Sequence, residues 1–270
     1  MTSLTLYHAD YSTCSQKVRI ALAEKAIPYK SKIINFRKDE QLSKEYLAIN
    51  PNGVVPSLID NDSVIIDSSC ILEYLDESFP EHSLSPESPL GKARMRAWLR
   101  YMEEVPTKAI RIPSFDQVFL PMLRMIKSKQ GFETMRNKRT LRRGFYSNMN
   151  QGKGFDQIKV QDSVFQLRDT VLRMESALKT NKWILGDTFS LVDASLFPLV
   201  DRAADLGMTF LWNDQPEVID WIKRLQARDS IQQAFYKGSR LSERLEYKIV
   251  ISLARKHNKK QSLNNLLEGF

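Results

Sequence analysis

The first eighty residues alternate short β-rich runs with helical patterns. Leu4–Tyr7 is the first such run, and apolar residues at helical spacing follow within Lys17–Lys25. The alternation continues, and the last two β-rich runs are separated by Asn61-Asp62, a pair that is typical of a tight turn. Beyond the first two elements, the pattern predicts strands at 28–34, 54–59 and 63–66 and helices at 42–49 and 68–79.

The order of these elements, β-α-β-α-β-β-α, defines a small mixed sheet. A helix joins the first two strands, so they should lie parallel through a right-handed crossover. The last two strands form a hairpin and should be antiparallel. Residues 1–80 are therefore predicted to fold as a thioredoxin-like α/β N-terminal domain with helices on the faces of the sheet.

A different pattern follows residues 81–89, a polar, proline-rich stretch that is predicted to link two domains. Residues 90–270 show helical patterns, which predict an all-α helical bundle as the C-terminal domain. Residues 128–161 interrupt it with basic residues and four glycines and are expected to form a polar excursion. Leucines and an isoleucine spaced by four predict an amphipathic C-terminal helix, at Leu241, Leu245, Ile249 and Leu253. The other predicted helices span 90–104, 162–178, 192–206 and 216–236.

The composition is that of an ordinary globular protein. The 270 residues are 42% hydrophobic and 27% charged, which excludes wholesale disorder. The first residues lack the features of a signal peptide, and the apolar runs are shorter than the roughly 20 residues of a membrane span. Cys14 and Cys70, two distant thiols, suit a reducing compartment, and with three histidines they predict no metal site. The protein is therefore predicted to be cytoplasmic, without a stable membrane anchor.

The net charge of +8 is divided unevenly along the chain. Residues 1–80 carry 8 basic and 11 acidic residues, so the remainder carries +11. Five cations between Arg136 and Arg143 leave a nucleic-acid binder as one open interpretation. Aromatic residues are sparse there and no recognition motif is present. A solvated basic surface is the preferred interpretation, and no specific nucleic-acid partner is expected.

The candidate chemistry lies where the first strand meets the first helix. A helix N-terminus carries partial positive charge and free N–H groups, which stabilise a thiolate and lower its pKa. Ser12 and Ser15 can each donate a hydrogen bond to such a sulfur, and Cys14 can itself supply a thiolate. An equally good interpretation of the residues is that Ser12 only caps the helix.

Two further segments favour the binding of a peptide or a carboxylate. Val55-Pro56 opens a strand where proline cannot donate to the ladder, and with a cis bond the backbone before it can pair with an extended peptide. Asp67-Ser68 opens another helix, where the serine can bind a carboxylate and the aspartate an ammonium group. An ordinary edge proline and simple N-capping are the alternatives. Ser190 and Asp193 fit a capping box and are interpreted as structural.

Together these segments resemble the cytosolic glutathione transferase superfamily. The motifs of the first domain are Ser12-x-Cys14-Ser15-x-Lys17-Val18-Arg19, Asn50-Pro51-x-Gly53-x-Val55-Pro56-x-Leu58 and Asp67-Ser68-x-x-Ile71-x-x-Tyr74-Leu75. The second domain contributes Gly186-Asp187-x-x-Ser190-x-x-Asp193. The serine and cysteine pattern of the first motif is similar to those of zeta-class members, reductive dehalogenases and bacterial β-etherases.

The resemblance implies that glutathione is the co-substrate. Val55, beside Pro56, would pair with its cysteinyl backbone, Ser68 with Asp67 would hold its γ-glutamyl end, and Lys38 would reach its glycyl carboxylate. Similar proteins generally form homodimers, which is expected here as well.

The resemblance also implies candidates for the reaction itself. The thiol would be activated by Ser12, as in zeta enzymes, or by Ser15, as in β-etherases, whereas Cys14 would act as a nucleophile, as in the dehalogenases. We rank Ser12 first, Cys14 second and Ser15 third. The partner of the thiol would be a hydrophobic electrophilic small molecule, taken up for detoxification by conjugation or by ether or halide displacement. Its expected walls are Tyr11, Tyr101, Met102, Pro113, Phe115 and Phe119. A ligand-binding protein that has kept this fold without turnover is the alternative.

Overall fold

The computed structural model describes residues 4–138, 141–147 and 154–259, except for the side chain of Lys129. Residues 4–78 form a four-stranded sheet with helices packed on it, and helices dominate the rest, which confirms the predicted fold class. The strands are β1 (Leu4–His8), β2 (Lys30–Ile33), β3 (Ser57–Asp60) and β4 (Ser63–Ile66). The helices of this sheet region are α1 (Thr13–Glu24), α2 (Lys44–Ile49) and α3 (Ser68–Ser78).

The sheet has the topology that the sequence predicts. Its order is β2-β1-β3-β4, with β1 parallel to β2 and antiparallel to β3, and with β3 and β4 paired as a hairpin. Leu6 and Leu58 are fully buried at the centre of the sheet. They pack with Val18 of α1 and Ile71 of α3 in one apolar cluster, so hydrophobic burial fixes these two helices on the sheet.

Helix ends differ from the sequence prediction where polar residues cap them. α1 begins at Thr13, four residues earlier than expected, because the Ser12 side chain accepts from the backbone of the first turn. The cap of α3 is Asp67, which accepts from the N–H groups of Ser69 and Cys70, and not the predicted Ser68. The first long helix after the sheet begins at Pro89 because proline suits the first helical position.

The helical region is divided into more helices than the sequence pattern indicates. The predicted helix at 216–236 is two helices, since Arg228 between them has extended backbone angles. A π-helical turn at Phe115–Phe119 and several short 3₁₀ turns connect the other elements. The helices are α4 (Pro89–Glu104), α5 (Pro106–Ala109), α6 (Arg111–Ser114), α7 (Leu120–Ile126), α8 (Lys129–Asn137), α9 (Arg143–Ser147), α10 (Gln157–Leu178), α11 (Leu191–Asp205), α12 (Pro216–Gln226), α13 (Asp229–Ala234) and α14 (Lys248–Asn258).

The described part of residues 128–161 is not simply a polar excursion. Phe132 and Met135 of α8 and Tyr146 of α9 are buried against Leu120 in a small apolar cluster. These apolar residues are separated by cations along the chain, and only the helical fold brings them to one side. Residues 139–140 and 148–153 of the excursion, with Arg139 and Lys153, lie outside the described residues.

The predicted apolar face of the C-terminal helix is wrong. Leu241 is buried in a 3₁₀ turn before the helix, whereas Leu245, Ile249 and Leu253 are 83%, 77% and 62% exposed. α14 instead buries Ile251 against the helical core, because a spacing of four identifies a face but not the direction in which it points. Within the described residues, none of the helices is both long and apolar enough to cross a membrane.

Buried polar side chains of α1 tie the sheet region to the helical region. Arg19 is 2% exposed and donates to the carbonyl oxygens of Ala234 at 2.9 Å and Asp10 at 2.8 Å. The Gln16 amide donates to the carbonyl of Ser239 at 2.8 Å. A buried guanidinium with these partners holds the two regions in one fixed relation.

His8 makes the stability of this arrangement depend on pH. It is 1% exposed, and its ring nitrogens lie 2.8 Å from Ser31 Oγ and 3.2 Å from the Arg19 guanidinium. Burial, and then the charge of Arg19, lowers the pKa of His8 from 6.5 to about 4. Below the pKa that His8 has in the unfolded chain, the unfolded chain therefore binds a proton that the folded protein excludes. The folded state consequently loses stability as the pH falls from about 6.5 to about 4.

We expect wild-type protein to lose about 2–3 kcal/mol of unfolding free energy through His8 between neutral pH and pH of about 4.5. Urea unfolding at the two pH values measures this, and His8→Gln should show a correspondingly shallower pH dependence. His82→Gln, at an exposed position, is the control and should keep the wild-type slope. Equal slopes for all three proteins would contradict the assignment to His8.

Candidate functional site

A cavity lies between the sheet region and the helical region. Its empty volume, counted together with the adjoining space open to solvent, is about 1320 Å³. The sheet region contributes the start of α1 and the loop before β3. The helical region contributes the segment from α5 to α9 and the C-terminal Tyr247.

The start of α1 separates the three candidates for thiol activation. Ser12 and Cys14 line the cavity. Ser15 is fully buried, and its hydroxyl accepts from the N–H of Ala9 at 3.3 Å, on the interior side of the turn. Ser12 Oγ accepts from the N–H of Ser15 at 3.3 Å, so the cap predicted from sequence is present. A hydroxyl that accepts through a lone pair still has its own proton to donate, so capping leaves Ser12 able to bond a sulfur.

The loop before β3 presents backbone to the cavity at Val55. The Asn50 amide and the Tyr46 hydroxyl both donate to the Val54 carbonyl, at 3.0 and 2.7 Å, and fix the loop from behind. Gly53 has a φ of +60°, and a Cβ there would lie 2.9 Å from Leu42. Val55 lines the cavity, and within the described residues no backbone hydrogen bond outside the strands and helices uses its N–H or C=O. The Val55–Pro56 bond is cis.

Asp67 and Ser68 lie at the start of α3, outside the lining of the cavity. Asp67 is exposed and uses only Oδ1 to cap the helix, at 2.9 Å from the N–H of Ser69. Its second oxygen takes no part in capping the helix. Ser68 is buried in the first turn. The charge environment of Lys17 includes both Cys14 and Asp67, which places the Asp67 carboxylate near the start of α1.

Lys38 does not line the cavity. Its side chain is exposed, and neighbours in the same two 3₁₀ turns, Arg37 and Gln41, line the cavity instead. Two successive 3₁₀ turns have no helical or strand period, so the sequence could not show which of these residues face the cavity.

Half of the predicted walls for a second substrate line the cavity. Tyr11, Phe115 and Phe119 do, and Phe119 lies 5.8 Å from Tyr11 between ring centroids. Three others lie elsewhere: Tyr101 bonds Thr170 at 2.8 Å, Met102 is completely buried in the helical core, and Pro113 is buried in α6. Core packing, the alternative for this segment, accounts for these three residues.

The helical wall of the cavity carries positive charge that the sequence pattern did not assign to the site. Arg111 and Arg142 both line the cavity, beside Phe115 and Tyr146. Burial, and then the neighbouring charge of Arg142, lowers the pKa of Arg111 to about 10, so the Arg111 guanidinium is still charged at neutral pH. Arg142 lies in the segment interpreted as a solvated basic surface.

Tyr247 closes the cavity from the C-terminal side. Its hydroxyl donates to the Tyr11 hydroxyl at 3.2 Å, and burial raises the pKa of both tyrosines. Arg202 lines the same corner and donates to the Tyr11 carbonyl. None of these long-range partners of Tyr11 is visible as a local motif in the sequence.

Two family profiles match the sequence. The profile of the glutathione S-transferase N-terminal domain matches residues 6–83, and that of the glutathione S-transferase C-terminal domain matches residues 121–229. Together they cover more than half of the chain. The chain belongs to the glutathione S-transferase superfamily. This confirms the resemblance that the four motifs indicate.

Relatives of this glutathione S-transferase superfamily member differ in kind. A stringent starvation protein A homolog of Histophilus somni is 26% identical over 231 residues, covering 86% of this chain and 89% of that protein. Protein LigF of Sphingobium sp. is 26% identical over 244 residues, 88% of this chain and 95% of LigF. A zeta-class glutathione S-transferase of Euphorbia esula is 48% identical over 90 residues, which are 33% of this chain and 40% of the relative.

Among solved structures, that of β-etherase LigF superposes with a TM-score of 0.77 at 25% identity and covers 86% of this chain and 98% of LigF. The likeness extends through both the sheet region and the helical region.

Proposed function

We propose that this superfamily member is a glutathione transferase in which Ser12 activates the thiol of bound glutathione for attack on an electrophilic small molecule. One observation carries the proposal: Ser12, at the start of α1, lines the same cavity as Val55. The tripeptide would lie extended along Val55, with its cysteinyl sulfur at Ser12. The oxygen of Asp67 that does not cap α3 would accept from the γ-glutamyl ammonium group, and Arg37 would face the glycyl carboxylate.

The chemistry follows from the charge that develops on sulfur. A free thiol has a pKa near 8.5, so most of it is protonated at neutral pH. A hydrogen bond from Ser12 together with the field of the α1 N-terminus would lower that pKa by about two units, which corresponds to roughly 2.7 kcal/mol. The thiol proton passes to solvent. The thiolate then forms a bond to the electrophilic carbon, and the leaving group departs with its electron pair or the charge moves along a double bond.

The helical wall would hold the second substrate against this sulfur. Phe115 and Phe119 of the helical region, together with Tyr11 beside Ser12, provide an aromatic surface in the cavity. Orienting the electrophile at the thiolate lowers the entropic part of the barrier. Homodimer formation and a cytoplasmic location stay predictions.

The test is the ionisation of glutathione bound to serine variants. We expect Ser12→Ala to raise the pKa of bound glutathione by about 1–2 units and to lower kcat/KM about 10- to 100-fold near neutral pH. Ultraviolet absorbance of the thiolate, titrated against pH, measures the first effect, and conjugation of a generic aryl halide measures the second. Glutathione affinity at high pH, from calorimetry, should change little.

Two matched variants make the result specific. Ser15→Ala should leave the thiolate pKa unchanged and cost about 1 kcal/mol of stability, because its hydroxyl bonds Ala9 inside the fold. Cys14→Ala should retain the ionised thiol. A loss of the thiolate in Cys14→Ala with none in Ser12→Ala would move the role to Cys14. Binding of glutathione without turnover of any electrophile would favour the non-catalytic alternative.

A further inference from the structure

Two guanidinium groups face the same part of the cavity without a carboxylate partner. Within the described residues, no carboxylate lies within 4.0 Å of Arg111 or Arg142 as an ion pair. The carboxylate in the charge environment of Arg111 is Glu103, and Lys17 already binds it at 2.7 Å. Both arginines are half-buried.

Two such guanidinium groups in one partly buried site are energetically unfavourable unless a negatively charged group binds to them. Like charges that are partly removed from water repel each other and lose hydration. Among the other cations of the cavity, Lys127 binds Asp39 at 2.5 Å and Arg202 donates to the Tyr11 carbonyl, while Arg37 belongs to the sheet region, where glutathione would bind. The Arg111 guanidinium lies 5.5 Å from the Phe145 ring centroid, a contact that orients it without neutralising it.

We infer that the electrophilic substrate carries a carboxylate, which Arg111 and Arg142 bind while its apolar body packs on the aromatic residues beside them. The inference rests on the proposed function and names the substrate class of the same site. Planar guanidinium groups match the two oxygens of a carboxylate, so two of them determine both the charge and the orientation of the ligand. Cys14, two residues after Ser12, lines the same cavity and belongs to the charge environment of Arg111, so this subsite would lie near the proposed position of the glutathione sulfur.

The position of the pair separates it from the glutathione subsite. Glutathione would be held from the sheet region, by Val55, Arg37 and the start of α1. Arg111 belongs to α6 and Arg142 immediately precedes α9, both in the helical region and both next to aromatic residues of the cavity, Phe115 and Tyr146. A carboxylate on the second substrate would therefore meet the arginines when its reactive carbon meets the sulfur.

The test uses two synthetic conjugates of glutathione that need no turnover. In both, sulfur carries a 2-nitrophenyl ring, with a carboxylate at ring position 4 in one and a neutral carboxamide in the other. Calorimetry on the full chain should show about tenfold or tighter binding of the carboxylate conjugate. Arg111→Gln and Arg142→Gln should each remove most of that preference and change the affinity for glutathione itself less than about twofold. Arg143→Gln, the same charge change at the exposed neighbouring position, should keep the preference.

The outcomes separate this inference from the proposed function. Equal affinities for the two conjugates in the wild type would overturn the carboxylate subsite and leave the transferase proposal standing. Loss of glutathione binding in either glutamine variant would assign the arginines to glutathione and also overturn the inference. If the wild type bound neither glutathione nor a conjugate, the proposed function would fail and the inference with it. Should Arg111→Gln not fold, Arg142→Gln decides by the same comparison.

Discussion

Replacing Asp193 by alanine is expected to lower the free energy of unfolding by about 3–5 kcal/mol. The Asp193 carboxylate is fully buried and accepts four hydrogen bonds. Two come from Ser190, through its N–H at 3.0 Å and its hydroxyl at 2.8 Å. The others come from the Ile184 N–H at 3.1 Å and the Trp221 indole at 2.8 Å. Alanine would leave these donors buried without an acceptor, and each costs about 1–3 kcal/mol.

Two comparison variants give this prediction its specificity. Asp187→Ala removes an exposed carboxylate six residues earlier and should change stability by less than about 0.5 kcal/mol. Asp193→Asn keeps one acceptor oxygen and should fall between wild type and alanine. Urea unfolding at constant pH measures all three. A loss below about 1 kcal/mol in Asp193→Ala would mean that the capping box and the Trp221 contact do not hold α11 and α12 together.

Local signals of the chain predicted most of the sheet region. Alternating hydrophobicity, a turn pair and capping residues each act over a few neighbours, so the order of the elements along the chain, the hairpin and the capping box at Ser190 are readable from sequence. The same holds for Ser12 and Val55, because a helix start and a strand-opening proline are local features. Their lining of one cavity confirms that these two segments meet.

Features that depend on distant contacts were not predictable in this way. Arg142 belongs to a basic run, and the sequence cannot distinguish it there from a solvated cation. In the folded structure, the burial of Tyr146 turns this segment toward the cavity. Arg19 belongs to a recognisable motif, yet its bond to the carbonyl of Ala234, more than two hundred residues away, cannot be predicted from its neighbours in sequence. The predicted apolar face of the C-terminal helix shows the converse: Leu253 has the spacing of a core residue but faces solvent.

Glu103 is expected to contribute strongly to stability because it neutralises Lys17, a buried residue of the same motif as Ser12. Lys17 is completely buried in α1, and its ammonium group lies 2.7 Å from the Glu103 carboxylate of α4. Burial acts to lower the pKa of Lys17, but Glu103, with smaller contributions from Cys14 and Asp67, more than offsets this and the pKa is raised. Ser69 of α3 donates to the same Glu103 oxygen at 3.2 Å. The pair therefore joins three helices beneath the start of α1.

Glu103→Gln should lower the free energy of unfolding by about 3–5 kcal/mol, because it leaves a buried ammonium group without a counter-charge. The adjacent Glu104 provides a matched control: its pair with Lys108, 2.6 Å apart, is exposed, and Glu104→Gln should change stability by less than about 0.5 kcal/mol. Lys17→Met combined with Glu103→Gln removes the uncompensated charge and should recover at least half of the loss. Urea unfolding distinguishes the cases. If the double variant were as unstable as Glu103→Gln alone, the damage would come from lost packing or hydrogen bonds, and the buried charge would not explain why this pair lies beneath the start of α1.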